Sequence, residues 1–310
     1  MCTAIYDNKN SLFGRTLDLE YSYNEAITIT PRNFNFSPKI ESPIKTKFTI
    51  MGMGIVAENF PLYFDAFNEK GLAVAALNFP KSACYYEPIP NHLNLAPFEI
   101  IPYILGVCQN IYEAKELLNS LNVCDISFSD EYKSTPLHWM IADQTESIVV
   151  ESTESGLQIY ENDLNVITNE PTFHYQTTYF KNFGRLSPFD EDEQYSRGLS
   201  SYGLPGDFSS TSRFVRAAYL LKNSITLNKT QFFKLLDNVS VPRGAIQLKN
   251  GENVITQYSC CMDLQNKIYY YKTYNNSRIC GVHMPEKPSN TLIVFPIRKD
   301  EDILLENINE

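Results

Sequence analysis

The 310-residue sequence predicts an α+β fold. Strand-like runs far outnumber amphipathic stretches, and long runs of strands separate the few helical segments instead of the β-α-β alternation of a parallel sheet. The aromatics point the same way: 20 Tyr and 19 Phe stand beside a single Trp, a bias that suits pleated surfaces. A hydrophobic fraction of 43% with 20% charged residues fits an ordinary folded core. No long Pro/Gly linker divides the chain, so a single domain spanning residues 1–310 is expected.

Alternating or apolar runs bounded by turn residues predict strands at 2–6, 12–19, 26–30, 48–56 and 71–79. The pattern returns at 137–142, 147–151, 156–160, 165–168, 254–263 and 267–274, the last two as a hairpin with Tyr269 to Tyr271 at its centre. A helix is predicted over 111–121, where Asn110 and Glu113 form a capping signal and Ile111, Ala114, Leu117, Leu118 and Leu121 form one apolar stripe. Stretches 212–222 and 230–238 repeat the helical pattern with Phe214, Ala217, Ala218 and Leu221, then Phe232, Phe233, Leu235 and Leu236. Residues 187–212 differ, being acidic at 190–193 and then rich in Gly, Ser and Pro. That stretch reads as a mobile linker or as an arm onto a neighbouring subunit.

Lys and Arg total 26 against 36 Asp and Glu, a net charge of -10, which repels phosphate backbones and argues against nucleic-acid binding. No apolar run approaches the roughly 18 residues of a membrane span. The first fifteen residues lack the basic and apolar regions of a signal peptide. Seven cysteines, an odd number, include no C-x-x-C pair, and the four histidines are scattered without ligand spacing. The expectation is a reduced, cytoplasmic protein with no metal and no cofactor. Gly52-x-Gly54-x-x-Ala57 matches a dinucleotide-binding fingerprint, but Pro61 follows too closely to leave room for the helix that holds a pyrophosphate.

The N-terminus carries the chemistry. Cys2 follows Met1, and so small a side chain permits removal of the initiator Met. The residue left would hold a thiol and a free α-amine, whose reference pKa of about 7.7–8.0 suits a general base near neutral pH. One residue then supplies nucleophile and base together. On the dipeptide alone, the simpler reading is the start of a buried strand. The flanking segment favours chemistry. Residues 7–11 form a turn between two strands, so Phe13-Gly14-Arg15-Thr16-Leu17-Asp18 runs beside Cys2, with Thr16 opposite Cys2 to within one residue of register. Asp18 is then placed to accept from the α-ammonium, and Arg15 to lower the thiol pKa and hold a carboxylate network.

Met-Cys-Thr-Ala, F-G-R-T-L-D, Asn68-Glu69-Lys70-Gly71-Leu72, Leu77-Asn78-Phe79-Pro80, Pro136-Leu137-His138-Trp139 and Thr168-Asn169-Glu170-Pro171 resemble the choloylglycine hydrolase family. Gly203-Leu204-Pro205-Gly206-Asp207-Phe208 and Ser212-Arg213-Phe214 extend the resemblance over nearly the whole chain. That family groups bile salt hydrolases with penicillin V acylases among the N-terminal nucleophile hydrolases. The resemblance implies a four-layer αββα sandwich of two stacked, mainly antiparallel sheets flanked by helices. It implies Cys2 as nucleophile and base, supported by Arg15 and Asp18, with Asn78, Asn169 and Arg213 completing the site. An Asn169 amide N–H and the Asn78 backbone N–H would hold the oxyanion.

The resemblance also implies a homotetramer, with residues 187–212 as the assembly arm. Leu-Asn-Phe-Pro around Asn78 lies closer to the bile salt hydrolase pattern, so the expected substrate is a bile acid conjugated to glycine or taurine. Leu17, Phe60, Phe128, Tyr132 and Leu137 are the expected walls of an apolar pocket for the steroid. Penicillin V acylase activity is the alternative, and a non-enzymatic binding protein with an aromatic pocket the remote one. Ala76 departs from the family pattern, which commonly has Gly there, and adds a methyl beside the expected oxyanion donor.

Overall fold

The computed structural model describes residues 1–184, 201–225, 227–287 and 289–306. A first hairpin of β1 (Cys2–Asp7) and β2 (Leu12–Leu19) leads into β3 (Ala26–Thr30) and a short pair, β4 (Asn35–Phe36) and β5 (Ile44–Lys45). A meander follows: β6 (Ile50–Ala57), β7 (Phe60–Asn68) and β8 (Ala73–Asn78). Then come β9 (Leu93–Leu95), helices α1 (Ile100–Val107) and α2 (Ile111–Leu118), and β10 (Leu121–Val123). Next are β11 (Leu137–Ala142), β12 (Ser147–Thr153), β13 (Gly156–Glu161), β14 (Val166–Ile167) and α3 (Phe173–Phe180). The last part holds α4 (Ser210–Asn223), α5 (Lys229–Asp237), β15 (Ile255–Asp263), β16 (Ile268–Thr273), β17 (Cys280–His283) and β18 (Ile293–Pro296).

Among the described residues, two large sheets form. One runs β14-β1-β2-β15-β16-β17 and the other β13-β12-β11-β8-β7-β6-β3-β18. Alternation along the strands builds the layers. Ala73, Ala75 and Leu77 of β8, with Met140 of β11, pack with Phe13, Tyr258 and Met262 of the other sheet. Val74, Ala76, Trp139 and Ile141 face the opposite way, onto Ile101, Ile104 and Leu105 of α1 and Ala114 and Leu118 of α2. Phe214 and Ala218 of α4 and Phe232 and Leu236 of α5 cover the six-stranded sheet. The result is a four-layer αββα sandwich that is mainly antiparallel.

Several elements depart from the sequence reading. The helix from Ile111 ends at Leu118, because Leu121 enters β10 beside β9. The helix expected at 212–222 begins earlier, at Ser210, where the Ser209 side chain accepts the Ser212 N–H. Strand β7 is an addition, hidden by Pro61 and Asp65 in an otherwise apolar run. So is α1, whose nearly continuous apolar sequence carries no helical period. Of the expected arm at 187–212, residues 187–200 lie outside the described residues. No helix among the described residues is long and apolar enough to cross a membrane.

Gly52 and Gly54 lie inside antiparallel β6, not at a strand-to-helix turn. A Cβ on Gly52 would stand 2.1 Å from the Asp65 carbonyl oxygen, and one on Gly54 2.3 Å from that of Leu62. The glycines therefore serve close strand packing. Gly52→Ala is expected to cost about 3 kcal/mol of stability, read as a lowered midpoint in urea unfolding.

Candidate active site

The β1–β2 hairpin pairs Cys2 with Leu17, not Thr16. Asp7 pairs with Leu12 because Ser11, with φ of 52°, stays in the turn and shifts the register by one residue. Met1 extends the ladder. The Asp18 N–H donates to the Met1 carbonyl at 2.8 Å, and the Met1 nitrogen donates to the Asp18 carbonyl. Asp18 therefore meets the terminal residue through its backbone, while its buried carboxylate faces elsewhere. Oδ1 accepts from Thr256 Oγ1 at 2.6 Å, and Oδ2 from Thr16 Oγ1 at 3.3 Å. The β2–β15 register shifts between Thr256 and Tyr258, leaving Gln257 as a bulge opposite the Leu17–Asp18 step.

Arg213 of α4 binds the first residues from behind. Its Nη1 donates to the Cys2 carbonyl and to Thr3 Oγ1 (2.7 Å), its Nη2 to Asn169 Oδ1 (2.9 Å), and its Nε to the Phe208 carbonyl (3.1 Å). Burial lowers its pKa, opposed by Asp18 at 3.9 Å and by Cys2. The Cys2 N–H donates to Asn169 Oδ1 at 2.7 Å. With two donors on its oxygen, the Asn169 amide is fixed in orientation, and its Nδ2 donates to the Asn78 carbonyl at 2.8 Å. Cys2, Asn78, Asn169 and Arg213 thus form one connected cluster.

Arg15 approaches from the other side. The β7–β8 ladder ends at Asp65 and Ala75. Just beyond it, Arg15 Nη1 donates to the carbonyls of Ala76 (2.5 Å) and Phe64 (3.1 Å). Nη2 is buried without a partner among the described residues, and Arg15 shares the lining of one cleft with Cys2. Phe79 donates to the Pro136 carbonyl (2.8 Å) and Tyr85 takes the Leu137 N–H (2.6 Å), so Asn78 and Leu137 are a non-hydrogen-bonded pair. The Asn78 N–H therefore leaves β8 by the edge where Ala76 meets Arg15.

Arg15 draws its carboxylate from Asp65, which the sequence reading missed. Arg15 Nε lies 3.9 Å from Asp65 Oδ2, and both side chains are wholly buried. Tyr258 and Tyr269 hydroxyls donate to Asp65 at 2.5 and 2.6 Å, and the Cys260 thiol approaches at 3.6 Å. Burial raises the Asp65 pKa, with Arg15 and the tyrosines pulling against it. Burial opposes the charge on Arg15 too, but Cys2, Tyr258 and Asp65 outweigh it and raise the guanidinium pKa. An Asp in an apolar run carried no sequence signal beyond its oddity.

The cleft over Cys2 has a volume of about 920 Å³. Leu17, Phe128, Tyr132 and Leu137 line it, joined by Tyr21, Tyr23, Ile55, Phe64 and Phe98. Phe60 stands behind, its ring centroid 5.3 Å from Phe128 and 5.6 Å from Phe98. The lip at Ser22 is anchored by Lys299, which donates to Ser22 Oγ (2.8 Å) and pairs with buried Glu25 (3.1 Å). Among the described residues, no group of three His, Cys, Asp or Glu is placed to hold a metal. Removing the partner of a buried cation leaves its charge uncompensated, so Asp65→Ala is expected to cost about 3–5 kcal/mol. Tyr269→Phe should cost about 1–3 kcal/mol, both read by urea unfolding.

The family model for linear amide C–N hydrolases of the choloylglycine hydrolase family matches residues 2–292. The chain is 41% identical to the bile salt hydrolase/transferase of Lactiplantibacillus plantarum, over 97% of this chain and 98% of the relative. It is 37% identical to the bile salt hydrolase/transferase of Clostridium perfringens, covering 92% of each. A solved mutant of the conjugated bile acid hydrolase from Clostridium perfringens superposes with a TM-score of 0.92 at 34% identity, over 99% of this chain and 100% of that one. Penicillin V acylase from Agrobacterium tumefaciens shares the fold, with a TM-score of 0.73 at 20% identity over 92% of this chain and 86% of that one. By the extent of these matches, the chain belongs to the choloylglycine hydrolase family of linear amide C–N hydrolases.

Proposed function

We propose that the chain, beginning at Cys2 after loss of Met1, hydrolyses the amide bond of glycine- or taurine-conjugated bile acids. The observation that carries this reading is the double use of Asn169, which holds the Cys2 nitrogen at 2.7 Å and bridges to Asn78 at 2.8 Å. Nucleophile, terminal nitrogen and oxyanion donors are thereby held in one fixed frame. The steroid choice is supported by the relatives' names and by the aromatic cleft of about 920 Å³.

In this scheme the α-amine takes the Cys2 thiol proton while sulfur attacks the substrate carbonyl. The oxyanion that forms is met by the Asn78 N–H and by the Asn169 amide hydrogen not spent on Asn78. Collapse transfers the proton from the α-ammonium to the leaving nitrogen and leaves a thioester on Cys2. Water, deprotonated by the same amine, then releases the bile acid and restores the thiol. Arg15 supplies a fixed positive charge beside the sulfur, and Arg213 with Asp18 holds the terminal residue in place. We place the enzyme in the cytoplasm as a homotetramer. Assembly is supported by the exposed apolar residues Val294, Phe295, Ile303, Leu304 and Leu305.

The active preparation should lack one Met by intact mass. Cys2→Ala should keep its circular dichroism and lose turnover, and hydrolysis retained in that variant would falsify the scheme. Asn169→Ala should lower kcat by about 10²–10³-fold. Release of glycine and taurine measured beside release of 6-aminopenicillanic acid from penicillin V ranks the two substrate classes, with the bile acid conjugates expected to dominate.

A further inference from the structure

His138 of the Pro136–Trp139 block has no part in this scheme, yet it touches the chain neighbours of both proposed oxyanion donors. Its side chain is wholly buried. Nε2 lies 2.8 Å from the carbonyl oxygen of Thr168, the residue before Asn169. The ring lies flat on Phe79, the residue after Asn78, with centroids 4.2 Å apart and planes 7° from parallel. On its other side, Nδ1 lies 3.1 Å from Oε1 of Glu151 on β12.

Hydrogen-bond bookkeeping fixes how this unit works. A carbonyl only accepts, so Nε2 carries a hydrogen. Glu151 Oε1 already accepts the Phe173 N–H at 2.9 Å, and a single proton between Nδ1 and Oε1 completes the chain. Glu151 Oε2 is buried with no hydrogen-bond partner among the described residues, so His138 is the group that compensates this carboxyl. Gln176 secures the same loop, donating to the carbonyls of Asn169 (2.5 Å) and Pro171 (2.7 Å) and accepting from Thr168 Oγ1 (2.8 Å). The strand end at Asn78 is held by the Asn169 amide on its carbonyl (2.8 Å) and by the Phe79 N–H on the Pro136 carbonyl (2.8 Å), and the stack of His138 on Phe79 supports it from the side.

We infer that His138, held by Glu151, is a positioning residue for amide hydrolysis. By holding Thr168 and stacking on Phe79 it supports the separation of the Asn78 N–H from the Asn169 amide that their own hydrogen bond sets, and so fits the pocket to the tetrahedral oxyanion rather than to the planar substrate. The inference rests on the roles given above to Cys2, Asn78 and Asn169. Its effect falls on kcat, because a misplaced donor loses contact only with the charge that develops during reaction.

The test compares wild type, His138→Phe, His138→Gln and Glu151→Gln in kcat and KM for a glycine-conjugated bile acid. Alongside runs the rate of Cys2 alkylation by iodoacetamide, a reaction that forms no oxyanion. His138→Phe keeps the stack and loses the donor. Its kcat should fall by about 10–10²-fold, with KM and alkylation within about twofold of wild type. His138→Gln offers an amide N–H to Thr168 and should recover about fivefold or more of that loss. Glu151→Gln preserves volume but cannot satisfy both Phe173 and a singly protonated ring that donates to Thr168, so its kcat should fall about tenfold.

Unchanged kcat in His138→Phe overturns the inference, as does a fall in kcat matched by equal loss of alkylation. Glutamine no better than phenylalanine also overturns it. If His138→Phe does not fold, full activity in Glu151→Gln does so instead. A wild type inert toward conjugated bile acids contradicts the proposed function, whereas an active wild type equalled by His138→Phe contradicts the positioning role alone.

Discussion

The Arg213 guanidinium, buried behind the first strand, is the contact on which the site's geometry depends. Its donors are divided among the Cys2 carbonyl, Thr3, Asn169 and Phe208, so one cation fixes the head of β1, the loop after β14 and the approach to α4. A buried charge is tolerated only when its hydrogens are satisfied and a counter-charge is near. Asp18, at 3.9 Å, meets the second need without spending its carboxylate on a direct contact. Arg15 and Asp65 repeat the counter-charge at the same spacing on the cleft side of the hairpin, although Arg15 Nη2 is left without a partner among the described residues. Cys2 is thus flanked by two buried cations, each with its carboxylate set back.

The sheets turn this electrostatics into an opening. Arg15 reaches Cys2 because β7 and β8 separate after Asp65 and Ala75, and its Nη1 takes the carbonyls left unpaired there. The bulge at Gln257 bends β15 where Asp18 needs Thr256 as a donor. These interruptions of regular pairing cluster around one residue, where a site has to open within an otherwise close-packed sandwich.

Much of this was legible in the chain. Strand 12–19 follows from a run bounded by turn residues, and the Asn110 cap and the apolar stripes of α4 and α5 follow from helical spacing. The hairpin register was off by one residue, since a positive φ at Ser11 is a property of the turn rather than of the residue type. Cys2, Arg15 and Asp18 stood out together because the hairpin brings them together within eighteen residues. Asp65, Tyr258 and Tyr269 did not, for their meeting spans two sheets and about two hundred positions of sequence. His138 was visible only as part of a resembling block; its contacts with Thr168 and Phe79 depend on the fold.

Lys299 ties the cleft lip at Ser22 and Glu25 to the far end of the polypeptide. One wall of the cleft over Cys2 is thus held by a side chain 277 positions along the chain from the serine it binds, so the shape of the opening depends on the segment around Lys299 being docked.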